Sequence, residues 1–138
     1  MLRKPGWLVM GAVTLFGLTL MANEKPSEAY SKAMKDINAA NMGLRAAVTA
    51  KDYDGVAKQA AAFKTSFDVV EQFWTAKKAD DAIGAAKAGV KAATDLGAAA
   101  GAKNDEGIAA AQRALGGTCM GCHTAHRERL ADGTYEIK

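Results

Sequence analysis

Between residues 27 and 130 the apolar side chains recur at alternating steps of three and four, in four blocks separated by short polar or glycine-bearing breaks. This is the period of amphipathic helices, which bring every third or fourth side chain onto one face. The first block opens at Ser27, a good N-cap after Pro26, and sets Tyr30, Met34, Ile37, Asn41, Leu44 and Val48 on one stripe. After a break at Lys51-Asp52, a second helix carries Val56, Ala60, Phe63, Phe67, Val70 and Trp74, and with them most of the aromatic core. Beyond Lys77-Lys78, Asp80 or Asp81 can cap a third helix whose weaker stripe is Ile83, Ala86, Val90, Ala93 and Leu96. Gly84, Gly89 and Gly97 each lower its helicity by about 1 kcal/mol relative to Ala, so tertiary packing must hold it together.

Gly101 and Asn104 mark the last break. The fourth helix starts near Asp105, buries Ile108, Ala111 and Leu115 and runs to about Leu130, leaving Asp132 to Lys138 as a loose tail. No strand pattern is found. Helices of this length joined by short connections pack antiparallel, so the expected fold is all-α, an antiparallel up-down-up-down four-helix bundle.

Composition fits that picture. Hydrophobic residues make up 49% of 138, with only 2 prolines, and the length suits one domain with a real core. Residues 1–22 stand apart: Arg3 and Lys4, then the uncharged apolar run from Trp7 to Met21, then polar Asn23-Glu24-Lys25-Pro26. This is the layout of a signal peptide. Cleavage after Ala22 would leave 23–138 as the mature domain, exported to the periplasm, although Leu20 departs from the ideal small residue at its position. A retained anchor is the competing possibility, but the run is shorter than the roughly 20 residues a spanning helix needs, so no stable membrane insertion is expected after cleavage. Removing the leader takes away Arg3 and Lys4 and leaves 16 basic against 15 acidic residues. A near-neutral domain without a basic stripe argues against nucleic acid as a partner.

The chemistry concentrates in one place. Of two cysteines and two histidines, three fall in Cys119-Met120-Gly121-Cys122-His123. Cys-x-x-Cys-His is the haem c attachment pattern: each sulfur forms a thioether with a haem vinyl group and the adjacent imidazole binds iron. On a helix the three side chains project from one face. Two other readings use the same residues. A disulfide or redox pair between Cys119 and Cys122 would suit an oxidising compartment but lacks its usual βαβ setting. A zinc site using Cys119, Cys122, His123 and His126 would crowd adjacent ligands on one helical turn.

The stretch Cys119-Met120-Gly121-Cys122-His123-Thr124-Ala125-His126-Arg127, near the C-terminus of a four-helix chain, resembles the class II c-type cytochromes, that is, the cytochrome c′ family and its low-spin six-coordinate branch. The resemblance extends to the first helix, at Ala33-Met34-Lys35-Asp36 and Asn41-Met42-Gly43-Leu44. It implies one covalently attached haem c, with His123 as the proximal iron ligand. It also implies Met34 as the distal one, since low-spin relatives carry methionine at the matching position. Spacing alone makes Met34 a core side chain. Met42 sits at the edge of the stripe, Met120 lies on the His side of the motif, and His126 leaves the same helix as His123 and is expected to face solvent. Arg127 matches a basic position of the family and is expected beside His123 or a haem propionate, or simply at the surface. One departure is plain: relatives often have a longer connection with proline and glycine between the second and third helices, whereas here Phe73-Trp74 is followed almost directly by Asp80-Asp81. That shortening weakens any transfer of the homodimer many cytochromes c′ form.

The function implied is that of a periplasmic carrier of single electrons with redox proteins as partners, and no enzyme. The alternative is a five-coordinate cytochrome c′ that binds nitric oxide or carbon monoxide at an open distal site lined by Met34. A third possibility is a metal-binding or interaction module without haem.

Overall fold

A computed structural model describes residues 23–138; the leader expected at 1–22 lies outside the described residues. Four helices follow one another, α1 Glu28–Thr49, α2 Tyr53–Lys77, α3 Asp80–Gly101 and α4 Asp105–His126. Side-chain caps start three of them: Ser27 Oγ accepts from the amide of Tyr30 at 3.2 Å, Asp52 from Gly55 at 2.8 Å and Asn104 from Gly107 at 3.0 Å. The cap expected at Asp80 or Asp81 is absent. Ala79 occupies the N-cap of α3 without a side-chain hydrogen bond, Asp80 is already helical, and the Asp81 carboxylate is engaged elsewhere. Each tight connection turns through a lysine with positive φ, Lys51, Lys78 and Lys103, at 55°, 56° and 51°.

Contact between helices is extensive for α1 with α2, α2 with α3 and α3 with α4, giving the antiparallel four-helix bundle expected from the sequence. The core centres on Phe63, Leu44, Leu96 and Val56, with Phe67, Val70 and Trp74 buried beside them. On α3 the buried side chains are small, Ala82, Ala86, Ala93 and Ala100, and Gly89 lets the helix close on α2, since a β-carbon there would lie 2.6 Å from the Phe67 ring. On α1 the buried line runs through Tyr30, Ala33, Ile37, Ala40, Leu44 and Ala47. Asn41, expected on it, is exposed: the alanine side of α1 turns toward α2, where Ala47 meets Gly55.

The largest departure from the sequence reading follows α4, which ends at His126 and not near Leu130. Arg127–Arg129 and Tyr135–Ile137 form an antiparallel hairpin, β1 and β2. Its turn is built by Asp132, whose carboxylate accepts from the Thr134 amide at 2.9 Å, and by Gly133 at φ 86°. The tail is therefore ordered, and Ile137 is only 7% exposed. Glu24 pairs with Ile137 through two backbone hydrogen bonds of 2.9 and 2.8 Å, so the beginning and end of the described chain are joined across the end of the bundle where α4 stops.

Candidate functional site

The C-terminal half of α4 reads Gly116-Gly117-Thr118-Cys119-Met120-Gly121-Cys122-His123 and ends on Thr124-Ala125-His126. Cys119 and Cys122 are half-buried, not joined to each other, and packed against the core. Burial pushes both thiols up from their ordinary range; the Asp81 carboxylate and then Cys119 add to the effect at Cys122. Reactive Cys-x-x-Cys pairs have lowered thiol pKa values, so this environment does not suit the dithiol reading. His123 is also half-buried. Burial, then the charge of Arg127, pushes its pKa down and favours the neutral imidazole, the form that ligates a metal.

His126 does not face solvent as expected. Its side chain is 17% exposed, its ring lies 4.7 Å from that of Trp74, and Nε2 lies 2.7 Å from Asp81 Oδ2. The same hydrogen bond holds the Asp81 carboxyl below the usual range. Thus α4 is tied at its last turn to α2 and α3, and His126 and Cys122 line one groove with Asp81. Among the described residues no three His, Cys, Asp or Glu side chains gather as a metal-binding group, which counts against the zinc set. Arg127 is exposed, with its guanidinium 4.4 Å above the Tyr135 ring, and within electrostatic reach of His123.

Facing this end of α4 is the start of α1. Tyr30 is buried, and burial together with the nearby Cys122 sulfur pushes its hydroxyl up to about 12. Its ring packs 4.2 Å from Phe73 and meets Trp74 edge-on at 6.0 Å. One turn along, Met34 is partly buried against the core, while Met42 and Met120 are 66% and 70% exposed. Met34 on α1 and His123 on α4 therefore belong to the two end members of the helix series, which share no contact comparable to those between successive helices. On the other flank of α4 a groove of about 400 Å³ is lined by Asp81, Ala82, Ala85, Gly117, Gly121 and Cys122, among others.

Stripe arithmetic could not find the Tyr30–Trp74–His126 cluster, because its members come from three helices. The hairpin was signalled by Asp132-Gly133, a turn dipeptide followed by apolar Ile137.

No family model, curated protein or solved structure matches this chain.

Two features would suit a covalently attached group. Two thiols of one helical face are half-buried yet not joined, and the first and fourth helices share no contact comparable to those between successive helices.

Proposed function

We propose that this chain is a c-type cytochrome of the class II kind, which carries single electrons in the periplasm and performs no chemistry on a substrate. Haem, when bound, supplies an iron that gains or loses one electron. Cys119 and Cys122 would hold it through thioethers, each S–H adding across a vinyl double bond so that sulfur takes one carbon and hydrogen the other. His123, kept neutral by burial, would provide the proximal nitrogen, and Met34 the distal sulfur. Met/His ligation is associated with raised reduction potential, and the apolar core around Phe63, Phe67 and Trp74 would keep water away. Export before attachment, redox proteins as partners and possible pairing with a second copy belong to the same proposal.

The observation that carries it is the cluster of Cys119, Cys122 and His123 on the half-buried, unclosed end of α4, with the thiols pushed away from the reactive range. Among the described residues no helix is long and apolar enough to cross a membrane.

The test is mass and colour. Protein matured with haem-attachment machinery should gain about 616 Da and keep it after denaturation. Its visible spectrum should show sharp low-spin bands, and Met34→Ala should turn them high-spin. A high-spin spectrum in the unaltered protein, changing at once with carbon monoxide, would instead assign the five-coordinate gas-binding alternative. A colourless product without the mass gain would favour a metal-binding or interaction module without haem.

A further inference from the structure

Packing holds each helix to the next, but α1 and α4 share no comparable contact. What joins their ends is backbone. β1 and β2 pair in register, and Glu24 takes the other edge of β2: its N–H donates to the Ile137 carbonyl at 2.9 Å, and its carbonyl accepts from the Ile137 N–H at 2.8 Å. Glu24 stands just ahead of Ser27, the cap of α1. β1 leaves the last turn of α4 directly, and that turn is held twice. The Arg127 N–H donates to the His123 carbonyl, and the Lys138 N–H to the His126 carbonyl at 3.1 Å.

Side chains fasten the same strap. Ile137 is 7% exposed and belongs to the hydrophobic core. The Asn23 side-chain amide donates to Glu128 at 2.7 Å, and Glu24 forms an ion pair with Lys77 at the end of α2. Strands this short are marginal by themselves, so these anchors are what keep them paired. The strap therefore runs from the entry of α1 to the exit of α4, at the end of the bundle that carries Cys119, Cys122 and His123.

Resting on the haem assignment above, we propose that this strap holds α1 to α4 and thereby keeps Met34 seated on the iron opposite His123. Met34 belongs to α1 and His123 to α4, so a bond from each to one metal requires the two helices to keep a fixed separation. Packing between those helices does not supply it. Paired backbone does, because hydrogen bonds of this kind fix spacing and register within narrow limits. Glu24 and Ile137 are positioning residues in this scheme: they act through the helices that bear the two ligands, and bias the balance between seated and unseated methionine.

The haem-loaded protein without its leader tests this. Ile137→Asp removes the buried anchor, and Glu24→Pro removes the N–H that Glu24 contributes. Hydrogen exchange should find the amide of residue 137 protected in the unaltered protein and exchanging fast in both variants. Each variant should keep the mass gain, lose much of the methionine-to-iron charge-transfer band and bind carbon monoxide in the ferrous state about tenfold faster, the order expected when one or two hydrogen bonds no longer hold the seated state. Asn104→Ala, which removes the cap at the opposite end of α4, should change neither band nor rate. A loaded Ile137→Asp with an intact band and an unchanged rate would overturn the role of the strap and leave the haem assignment standing, as would an equal change in Asn104→Ala. If Ile137→Asp does not fold, Glu24→Pro decides by the same readings, since it leaves the core untouched. Absence of the mass gain in the unaltered protein would overturn the haem assignment and this proposal together, and a high-spin spectrum there would overturn Met34 ligation and this proposal but not attachment.

Discussion

The interface between α2 and α3 and the C-terminal half of α4 both contain helical glycine, with opposite consequences. At Gly89 a β-carbon would strike the Phe67 ring at 2.6 Å, so the missing side chain is what lets two helices approach. At Gly116, Gly117 and Gly121 a β-carbon would meet nothing within 4 Å. There the polypeptide gives no packing reason for glycine and accepts its helix penalty without return. One region is complete as protein. The other is a helix end with exposed glycines and two half-buried thiols.

The sharpest break in this comparison is the double substitution Cys119→Ala with Cys122→Ala. It should abolish the mass gain of about 616 Da altogether while far-ultraviolet circular dichroism still reports a helical chain, since α2 and α3 do not depend on the thiols. Next in size is Phe67→Ala, which should cost about 3–5 kcal/mol in chemical denaturation, the usual loss for a core aromatic. Gly89→Ala should destabilise by about 1–3 kcal/mol through overpacking against the same ring. Its control, Gly84→Ala, adds a methyl into open space and should stabilise by about 1 kcal/mol. Equal effects at the two positions would refute the close approach of α2 and α3.

Tyr30 offers a comparison by pH. Its folded-state pKa is raised from 10.0 to about 12, so folding favours the protonated phenol. That contribution is fully present below pH 10 and is lost as pH climbs from 10 to about 12, as a denaturation series should show. Tyr30→Phe should remove this alkaline loss. The smallest effect is expected at a connection: Lys78→Gly should stabilise by about 1 kcal/mol, because Lys78 sits at φ 56°, where a β-carbon is strained. A thermal melt resolves it.

Much of this molecule was legible in advance for local reasons. Ser27 caps α1 because its hydroxyl reaches an amide three residues on, and the second stripe is buried from Val56 to Trp74 because four-and-three spacing puts those side chains on one side of the helix axis. The errors share a different character. Asn41 was placed inside because it keeps the spacing, yet the rotation of α1 is set by which side packs best on α2, and the alanines do. His126 was placed outside because its own helix offers it nothing; its partners, Asp81 and Trp74, stand on other helices. The tail was read as loose because three-residue strands carry almost no periodic signal, and β2 is fixed by Glu24 at the far end of the chain.

The sequence alone determined the number and type of helices, the residues that cap three of them, the aromatic core and the convergence of Cys119, Cys122 and His123. All of these depend on separations of a few residues, over which helical geometry is rigid. Tertiary structure decided the hairpin, the unclosed relation of α1 and α4, the pairing of His126 with Asp81 across 45 residues and the packing of Trp74 on Tyr30. Those features arise where surfaces distant along the chain compete for the same space, and only packing ranks such competitors.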